Sequence, residues 1–157
     1  MSPQPVIGAL GASGIAGRVV GAAGLAAVGL LHVLWAAGSS WPARDADALA
    51  DAVVGSAHVP AAGPTAGVAA LALGGAAIVS GAGGDRPVAR LIRAGAAAAL
   101  LARGLAGGVV ATRVLRLPDP SARFRDLDRL VYRPLCLVLG AAVAWGSLGR
   151  IRRRKMG

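Results

Sequence analysis

The sequence is poor in cysteine, acidic residues and aromatic side chains, and each shortage excludes a class of protein. Cys136 is the only cysteine, which excludes an internal disulfide and a thiol-pair redox enzyme. Seven Asp, no Glu and two His leave few ligands for zinc, so we expect no metal and no other cofactor. Because aromatic residues make up 3% and the basic residues flank apolar runs, we expect no nucleic acid partner despite the net charge of +10.

Apolar residues, in contrast, are abundant. Hydrophobic residues make up 55% of the 157 residues, and only 15% are charged. A further 24 residues are glycines. Soluble domains carry about 25% charged residues. The composition therefore favours an integral membrane protein whose first partner is the lipid bilayer; it leaves the oligomeric state open.

Four apolar spans are visible, at about 19–38, 60–82, 91–114 and 131–149. Each has about 20 residues, which as a helix crosses a hydrocarbon layer of about 30 Å. We therefore predict an all-α polytopic membrane protein, an antiparallel bundle of four transmembrane helices. A Gly-rich segment at 1–18 precedes the bundle, and a basic tail at 150–157 follows it.

Two local patterns add detail to this bundle. In the connection after the first span, Leu49, Val53 and Val54 fall on one side of a short helix, which we expect to lie along the membrane surface. Glycines four residues apart predict close helix packing within the bundle. These pairs are Gly17 with Gly21, Gly63 with Gly67, and Gly104 with Gly108.

The orientation follows from the basic residues beside the spans. Nine lie on the side of the two termini and seven on the other side. This bias, with the basic tail, predicts a multi-pass protein of the bacterial inner membrane with both termini in the cytoplasm. A cleaved signal peptide is the alternative for the first span, since Ala36-Ala37-Gly38 resembles a cleavage site.

The glycines near the start of the sequence resemble a nucleotide-binding turn. Gly11, Gly14 and Gly17 have the spacing found in extended and atypical short-chain dehydrogenases. The context does not fit, because the next carboxylate is Asp45 and no alternation of strands and helices follows. We interpret the glycines as the entry to the first membrane helix.

Arg103 is the residue least suited to lipid. It lies midway between Arg93 and Arg113, and these two are about 30 Å apart on a continuous helix. Arg103 would then lie near the bilayer middle, with the other two arginines at the interfaces. A central arginine costs about 2.5–3.5 kcal/mol, so it should face the bundle and have a partner. A backbone carbonyl, a loop carboxylate or an anionic ligand could serve, and we expect His32 or Asp128 within reach.

Further polar and aromatic residues fall in the outer half of the predicted bundle. His32 and Trp35 share a helix face, since they are three residues apart. One interpretation is that His32 makes an interhelical hydrogen bond and Trp35 anchors the helix at the interface. The other is a ligand-binding pocket that combines these two residues with Arg103. The full set of candidate site residues is His32, Trp35, Trp41, Arg103, Asp128 and Tyr132. We assign no catalytic residue.

Three sequence elements also carry a resemblance to a known family. They are the string from Leu31 to Pro42, Arg103-Gly104, and Phe124, Asp128 and Tyr132 with the residues through Leu137. Over about residues 20–150 the chain resembles the bacterial integral membrane family known as domain of unknown function 3995. The resemblance implies a small four-helix membrane protein, and it implies no reaction, substrate or cofactor.

Three functions remain as hypotheses. The first is a membrane protein that binds a lipid-like or small anionic ligand in the outer polar pocket. The second is a membrane-embedded enzyme with His32 as acid or base, and the third is a small transporter or an accessory subunit of one. The sequence lacks both a nucleophile–base motif and the repeated acids or broken helix pairs typical of transport.

Overall fold

The described part of the chain is helical wherever it forms regular structure. The structure, a computed structural model, describes residues 4–56, 61–114, 116 and 119–156. No strand occurs among them, so the all-α prediction is confirmed. The helices are α1 (Gln4–Ala36), α2 (Ala46–Val53), α3 (Ala62–Ser80), α4 (Pro87–Ala106), α5 (Gly108–Val114), α6 (Ala122–Leu127), a π-helical turn (Asp128–Tyr132, here the π turn) and α7 (Arg133–Met156).

Three helices of the described chain are long and apolar enough to cross a membrane. These candidate spans are Gly14–Ala36, Ala62–Ser80 and Ala122–Leu148. The last one runs through α6, the π turn and α7. A fourth span results only if α4 and α5 are counted together.

The third predicted span is not one straight helix. α4 ends at Ala106, and α5 leaves it at 96°. Gly107, between them, has φ +79°, a conformation that glycine adopts without the steric penalty of a Cβ atom. Arg103 therefore lies one turn from the end of α4. Its predicted place in the middle of a continuous helix was wrong because that helix breaks.

Arg93, predicted to reach an interface, lies beside the turn between α3 and α4, and its interfacial place stays a prediction. Its side chain is buried, and the whole residue keeps 2% of its exposure. The guanidinium donates to the carbonyl oxygens of Ile78 (3.1 Å) and Gly84 (2.7 Å). Arg93 thus satisfies one carbonyl in the last turn of α3, which a helix leaves without an intrahelical partner, and one in the loop that follows.

The termini of the predicted domain differ from their sequence boundaries. α1 begins at Gln4, so the predicted Gly-rich segment is largely part of this helix. No strand precedes Gly11 in the described part of the chain, which agrees with the rejection of a nucleotide-binding turn. α7 continues to Met156, but the side chains of the basic tail lie outside the described structure.

Glycine lets the long helices pack closely and in opposite directions. Along the contact of α1 with α7, Gly17 lies against Ala142 and Gly146, whereas Gly24 lies against Leu139. A Cβ atom on Gly17 would be 2.8 Å from the Ala142 carbonyl oxygen. The same packing occurs between α1 and α3 at Gly29 and between α4 and α7 at Gly104.

The prediction from glycine spacing holds for two of the three pairs and fails for the third. Gly17, Gly21 and Gly104 contact a neighbouring helix as predicted, and Gly108 contacts Phe124. Gly63 and Gly67 have open space where a Cβ atom would be. Spacing alone identifies a small-residue face, and it does not identify the helix that covers it.

A small core joins the four long helices. It contains Leu25 of α1, Ala76 and Val79 of α3, Ala97 of α4 and Val143 of α7. Large apolar side chains are numerous on the outside, among them Leu71, Leu91 and Leu130. An apolar exterior of this extent is compatible with a protein that contacts lipid.

The directions of the helices place α2 and the candidate residues at one end of the molecule. α1 and α4 run towards this end, and α3 and α7 run away from it. We call it the α2 end. It contains the last turn of α1, α2, the first turn of α3, the last turn of α4, α5, α6 and the π turn.

Candidate functional site

An ion pair joins the end of α4 to the π turn. The Nη2 atom of Arg103 lies 2.6 Å from Oδ1 of Asp128, and the Asp128 side chain keeps only 6% of its exposure. The Arg103 side chain keeps 30%. The two atoms are in contact without the alignment of a hydrogen bond. Of the predicted partners for Arg103, the structure thus selects Asp128.

The second oxygen of Asp128 serves the helix break. The backbone N–H of Gly108, the first residue of α5, donates to Oδ2 at 2.7 Å. This N–H lies at the start of a new helix and has no intrahelical carbonyl to bind. One buried carboxylate therefore compensates the charge of Arg103 and accepts a hydrogen bond from the free N–H at the start of α5.

Arg133 completes the other side of the same break. Its Nε donates to the carbonyl oxygen of Gly104 at 3.0 Å, and its Nη2 donates to that of Leu105 at 2.8 Å. These carbonyls belong to the last turn of α4, where helical partners are missing. Two consecutive turns of the chain, the π turn and the start of α7, thus satisfy both ends of the broken helix.

The glycines at the break leave the space that these contacts need. A Cβ atom on Gly107 would lie 3.1 Å from Asp128 Oδ2. A Cβ atom on Gly108 would lie 2.5 Å from Cζ of Phe124 and 2.9 Å from Nη2 of Arg103. The dipeptide Gly107-Gly108 therefore allows both the bend and the close approach of the ion pair.

Tyr132, at the end of the π turn, connects this centre to α2. Its hydroxyl donates to the carbonyl oxygen of Ala52 at 3.1 Å, and its ring lies 6.3 Å from that of Phe124. A second link lies nearby, where the N–H of Ser121 donates to the carbonyl of Gly55 at 2.9 Å. π-helical turns often occur at functional sites.

The histidine and the two tryptophans form a separate group. The rings of His32 and Trp35 are 4.8 Å apart, so the predicted common face is confirmed. Nδ1 of His32 lies 2.8 Å from the carbonyl of Val28, and a neutral ring that donates there keeps Nε2 as an acceptor. The indole N–H of Trp35 donates to the carbonyl of Trp41 at 2.7 Å.

A cavity of about 180 Å³ lies between the end of α1, α2 and the start of α3. It is lined by Trp35, Gly38, Ser39, Ala46, Leu49, Ala50, Val53, Val54 and Thr65. Most of this lining is apolar. The indole N–H of Trp35 and the hydroxyl of Thr65 already donate to backbone carbonyls. The apolar side predicted for α2 therefore faces this cavity.

α2 begins with a charged cap. Oδ1 of Asp45 accepts the N–H of Ala48 at 2.7 Å, and Arg44 donates to Oδ2 at 3.0 Å. The backbone hydrogen bond holds the pKa of the Asp45 carboxyl below its ordinary value of 3.8, and the charge of Arg44 adds to this. The ionised carboxylate is therefore the form that this cap favours.

The six predicted site residues fall into two groups on either side of α2. Arg103, Asp128 and Tyr132 belong to the helix break, and His32, Trp35 and Trp41 belong to the end of α1. No hydrogen bond or ion pair joins the two groups within the described chain. The structure shows an apolar cavity beside Trp35 and an ion pair between Arg103 and Asp128. The single pocket around His32 and Arg103 stays a prediction.

Sequence reasoning missed several residues of this end. Arg133 and Gly107 were not predicted, although the dipeptide Gly107-Gly108 is a signal for a helix break. Ser39, Ala50 and Thr65 of the cavity carry no chemical pattern that would identify them. The described residues contain no group of three or more His, Cys, Asp or Glu side chains placed to hold a metal ion.

Comparison with known proteins gives one family. The model of the family described as "Protein of unknown function (DUF3995)" matches residues 25–143, which include both groups of site residues. No curated protein and no solved structure matches the chain. Because the family match covers most of the sequence, the chain belongs to the DUF3995 family of proteins of unknown function.

Proposed function

We propose that this chain is an integral protein of the bacterial inner membrane that binds a lipid-like ligand at its α2 end. In this proposal α1, α3, α4 with α5, and α7 form an antiparallel bundle of four membrane spans. Three candidate spans and an apolar exterior support it. The nine basic residues beside the termini, against seven at the other end, support cytoplasmic termini and an outward α2 end.

The observation that supports a bound ligand is the apolar cavity beside Trp35. Its volume of about 180 Å³ is below the roughly 300–1,000 Å³ of pockets for drug-sized ligands. It is close to the roughly 150 Å³ of an apolar cavity that binds benzene or xenon. A cavity of this size suits one apolar group, such as a segment of an acyl chain, while the rest of the lipid stays in the bilayer.

The lining favours a lipid-like ligand over a small anion. Leu49, Val53 and Val54 supply the α2 wall, and they offer only apolar contact. Arg103, the cation considered for an anionic ligand, is already compensated by Asp128. Recognition in the cavity would therefore depend on the hydrophobic effect and on shape.

The test compares two identical substitutions at different places. Val53→Phe fills the cavity, whereas Val19→Phe adds the same volume on the exposed side of α1. We expect purified wild-type protein and Val19→Phe to retain a lipid in native mass spectrometry, and Val53→Phe to lose it. The same lipid content in all three proteins, or none in the wild type, would contradict the proposal.

The orientation is tested separately. With both termini in the cytoplasm, a C-terminal alkaline phosphatase fusion should be inactive and a C-terminal fluorescent protein fusion should be bright. The reverse pattern would place the α2 end in the cytoplasm.

Transport is the second candidate function, and the broken span favours it. Secondary transporters use interrupted helices beside charged residues to bind their cargo, and the break at Gly107 adjoins a buried ion pair. If this pair carries protons, proteoliposomes with an internal pH-sensitive dye should acidify under an imposed potential. Asp128→Asn should abolish this flux, and an equal flux in protein-free liposomes would exclude the idea.

A further inference from the structure

Exposed arginines are concentrated in one stretch of the α2 end. This stretch, residues 113–129, contains five exposed arginines and two exposed acids, Asp119 and Asp126. Five positive charges less two negative ones leave +3. Asp128 is not counted, because it is buried against Arg103. The exposed arginines are Arg113, Arg116, Arg123, Arg125 and Arg129.

Helix length places part of this stretch at the level of lipid headgroups. The candidate span Ala122–Leu148 has 27 residues and is therefore about 40 Å long. It exceeds a hydrocarbon layer of about 30 Å by about seven residues. The charged residues of the span all lie between Arg123 and Arg133, in its first half, so the excess length falls at the start of the span, at residues 122–128.

Exposed apolar side chains mark the level where the hydrocarbon begins. Leu130, directly after Arg129, is 74% exposed, and Val114, directly after Arg113, is 75% exposed. Arg113 and Arg129 are thus each followed by a large apolar residue that faces outwards. This sequence of polarity is the one expected where a protein surface passes from headgroups into acyl chains.

Contact with water alone does not explain why so many arginines lie in this stretch. In the proposed orientation the α2 end faces outwards, where the positive-inside rule disfavours arginine near membrane spans. Arginine matches the geometry of a phosphate group with paired N–H donors. Among the five, only the side chain of Arg125 donates to a carbonyl of the described chain, that of Pro120.

We infer that the exposed arginines of residues 113–129 bind the phosphate groups of anionic phospholipids in the leaflet at the α2 end. This inference rests on the proposed membrane location, and it is independent of the ligand in the cavity. Each arginine near an anionic surface increases the local preference for such lipids about fivefold at low salt, and salt screens the effect.

The test maps lipid contacts directly on the full chain. Wild-type protein in nanodiscs of phosphatidylcholine with a minor share of phosphatidylglycerol is crosslinked to trace photoactivatable probes of either headgroup with identical chains. Peptide mass spectrometry then gives the ratio of the two crosslinks within residues 113–131. We expect at least a fivefold excess of phosphatidylglycerol at low salt, lost at high salt.

Two double variants separate a local site from a general effect of charge. Arg123→Gln with Arg129→Gln should lower the excess at least fivefold. Arg86→Gln with Arg90→Gln removes the same charge from exposed residues at the opposite end and should leave the ratio at residues 113–131 unchanged. Equal crosslinking of both probes in the wild type, or an equal fall in both variants, would overturn the inference, while retention of lipid in the cavity would be unaffected.

Discussion

The contact of α1 with α7 and the break between α4 and α5 both bring parts of the chain close together, but they are stabilised by different means. In the first, backbones approach closely because Gly17 and Gly21 present no side chain. In the second, the helix is interrupted and its free backbone groups bind Asp128 and Arg133. The first needs only small residues at a fixed spacing. The second needs charged partners from a distant part of the chain.

This difference teaches which contacts tolerate change. A glycine contact loses space when it is altered, and the two helices can move apart by a fraction of an ångström. When one member of an ion pair that also binds a free backbone N–H is removed, a buried charge is left uncompensated. No small movement of the helices supplies a new partner. The following experiments compare the effects of substitutions in the two regions.

The largest effect is expected from Asp128→Ala. The change leaves Arg103 without its counter-charge and Gly108 without an acceptor, and breaking a buried pair in this way costs about 3–5 kcal/mol. Because Arg103 is 30% exposed, we expect the lower end, about 3 kcal/mol, in the free energy of unfolding in detergent.

A double variant distinguishes the charge from the packing. Arg103→Leu with Asp128→Leu removes both charges and places apolar groups at the same positions. We expect it to recover at least half of the stability that Asp128→Ala loses. A double variant as unstable as the single one would mean that the Gly108 hydrogen bond, and not the ion pair, dominates.

A smaller loss is expected from Gly17→Ala in the contact of α1 with α7. Its Cβ atom would meet the Ala142 carbonyl oxygen at 2.8 Å and must displace backbone. Overpacking costs about 1–3 kcal/mol. Gly63→Ala is the matched control, since open space surrounds Gly63, and better helix propensity should make it neutral or stabilising by up to about 1 kcal/mol. Equal losses in thermal unfolding would refute the role of close packing.

Tyr132→Phe should have a milder effect. It removes the hydrogen bond to the Ala52 carbonyl and keeps the ring beside Phe124, so we expect a loss of about 1 kcal/mol. Hydrogen exchange should accelerate in α2 and remain unchanged in α7. Unchanged exchange in α2 would show that Tyr132 does not position the cavity wall.

The smallest effect is expected at the start of α2. Because the pKa of Asp45 is lowered in the folded protein, the stability that its ionised form adds is fully present above the carboxyl's ordinary value of 3.8. This stability is lost as the pH falls through the lower folded value. Asp45→Ala should speed hydrogen exchange at Ala48 severalfold at neutral pH, and Asp45→Asn, which can still cap, should not. Equal exchange in the two variants would rule out capping by Asp45.

Sequence reasoning predicted the regular features of this protein and part of the site. Apolar length predicted helices at 60–82 and 131–149, close to the observed α3 and α7, and helical spacing predicted the contact of His32 with Trp35. The need of Arg103 for a partner pointed to Asp128 among other groups. Burial of a charge limits the choices so strongly that few candidates remain.

Other features escaped because no local pattern encodes them. Arg133 binds carbonyls 28 and 29 residues earlier in the chain, and this contact exists only once α4 and α7 are packed. Gly107 and Gly108 are two among 24 glycines, so their role at the break is hidden by composition. The cavity beside Trp35 arises from three elements that are separate in sequence.

The sequence by itself determined that this chain is helical, apolar and charged mainly between its spans, because each of these properties is a sum over neighbouring residues. Only the tertiary structure decided that the third predicted span breaks at Gly107, that Asp128 compensates Arg103, and that Arg133 binds the last turn of α4. A helix break persists only where its free N–H and C=O groups find partners. Those partners come from the π turn and α7. The local sequence around the break does not encode which distant residues the folded chain brings to its free groups.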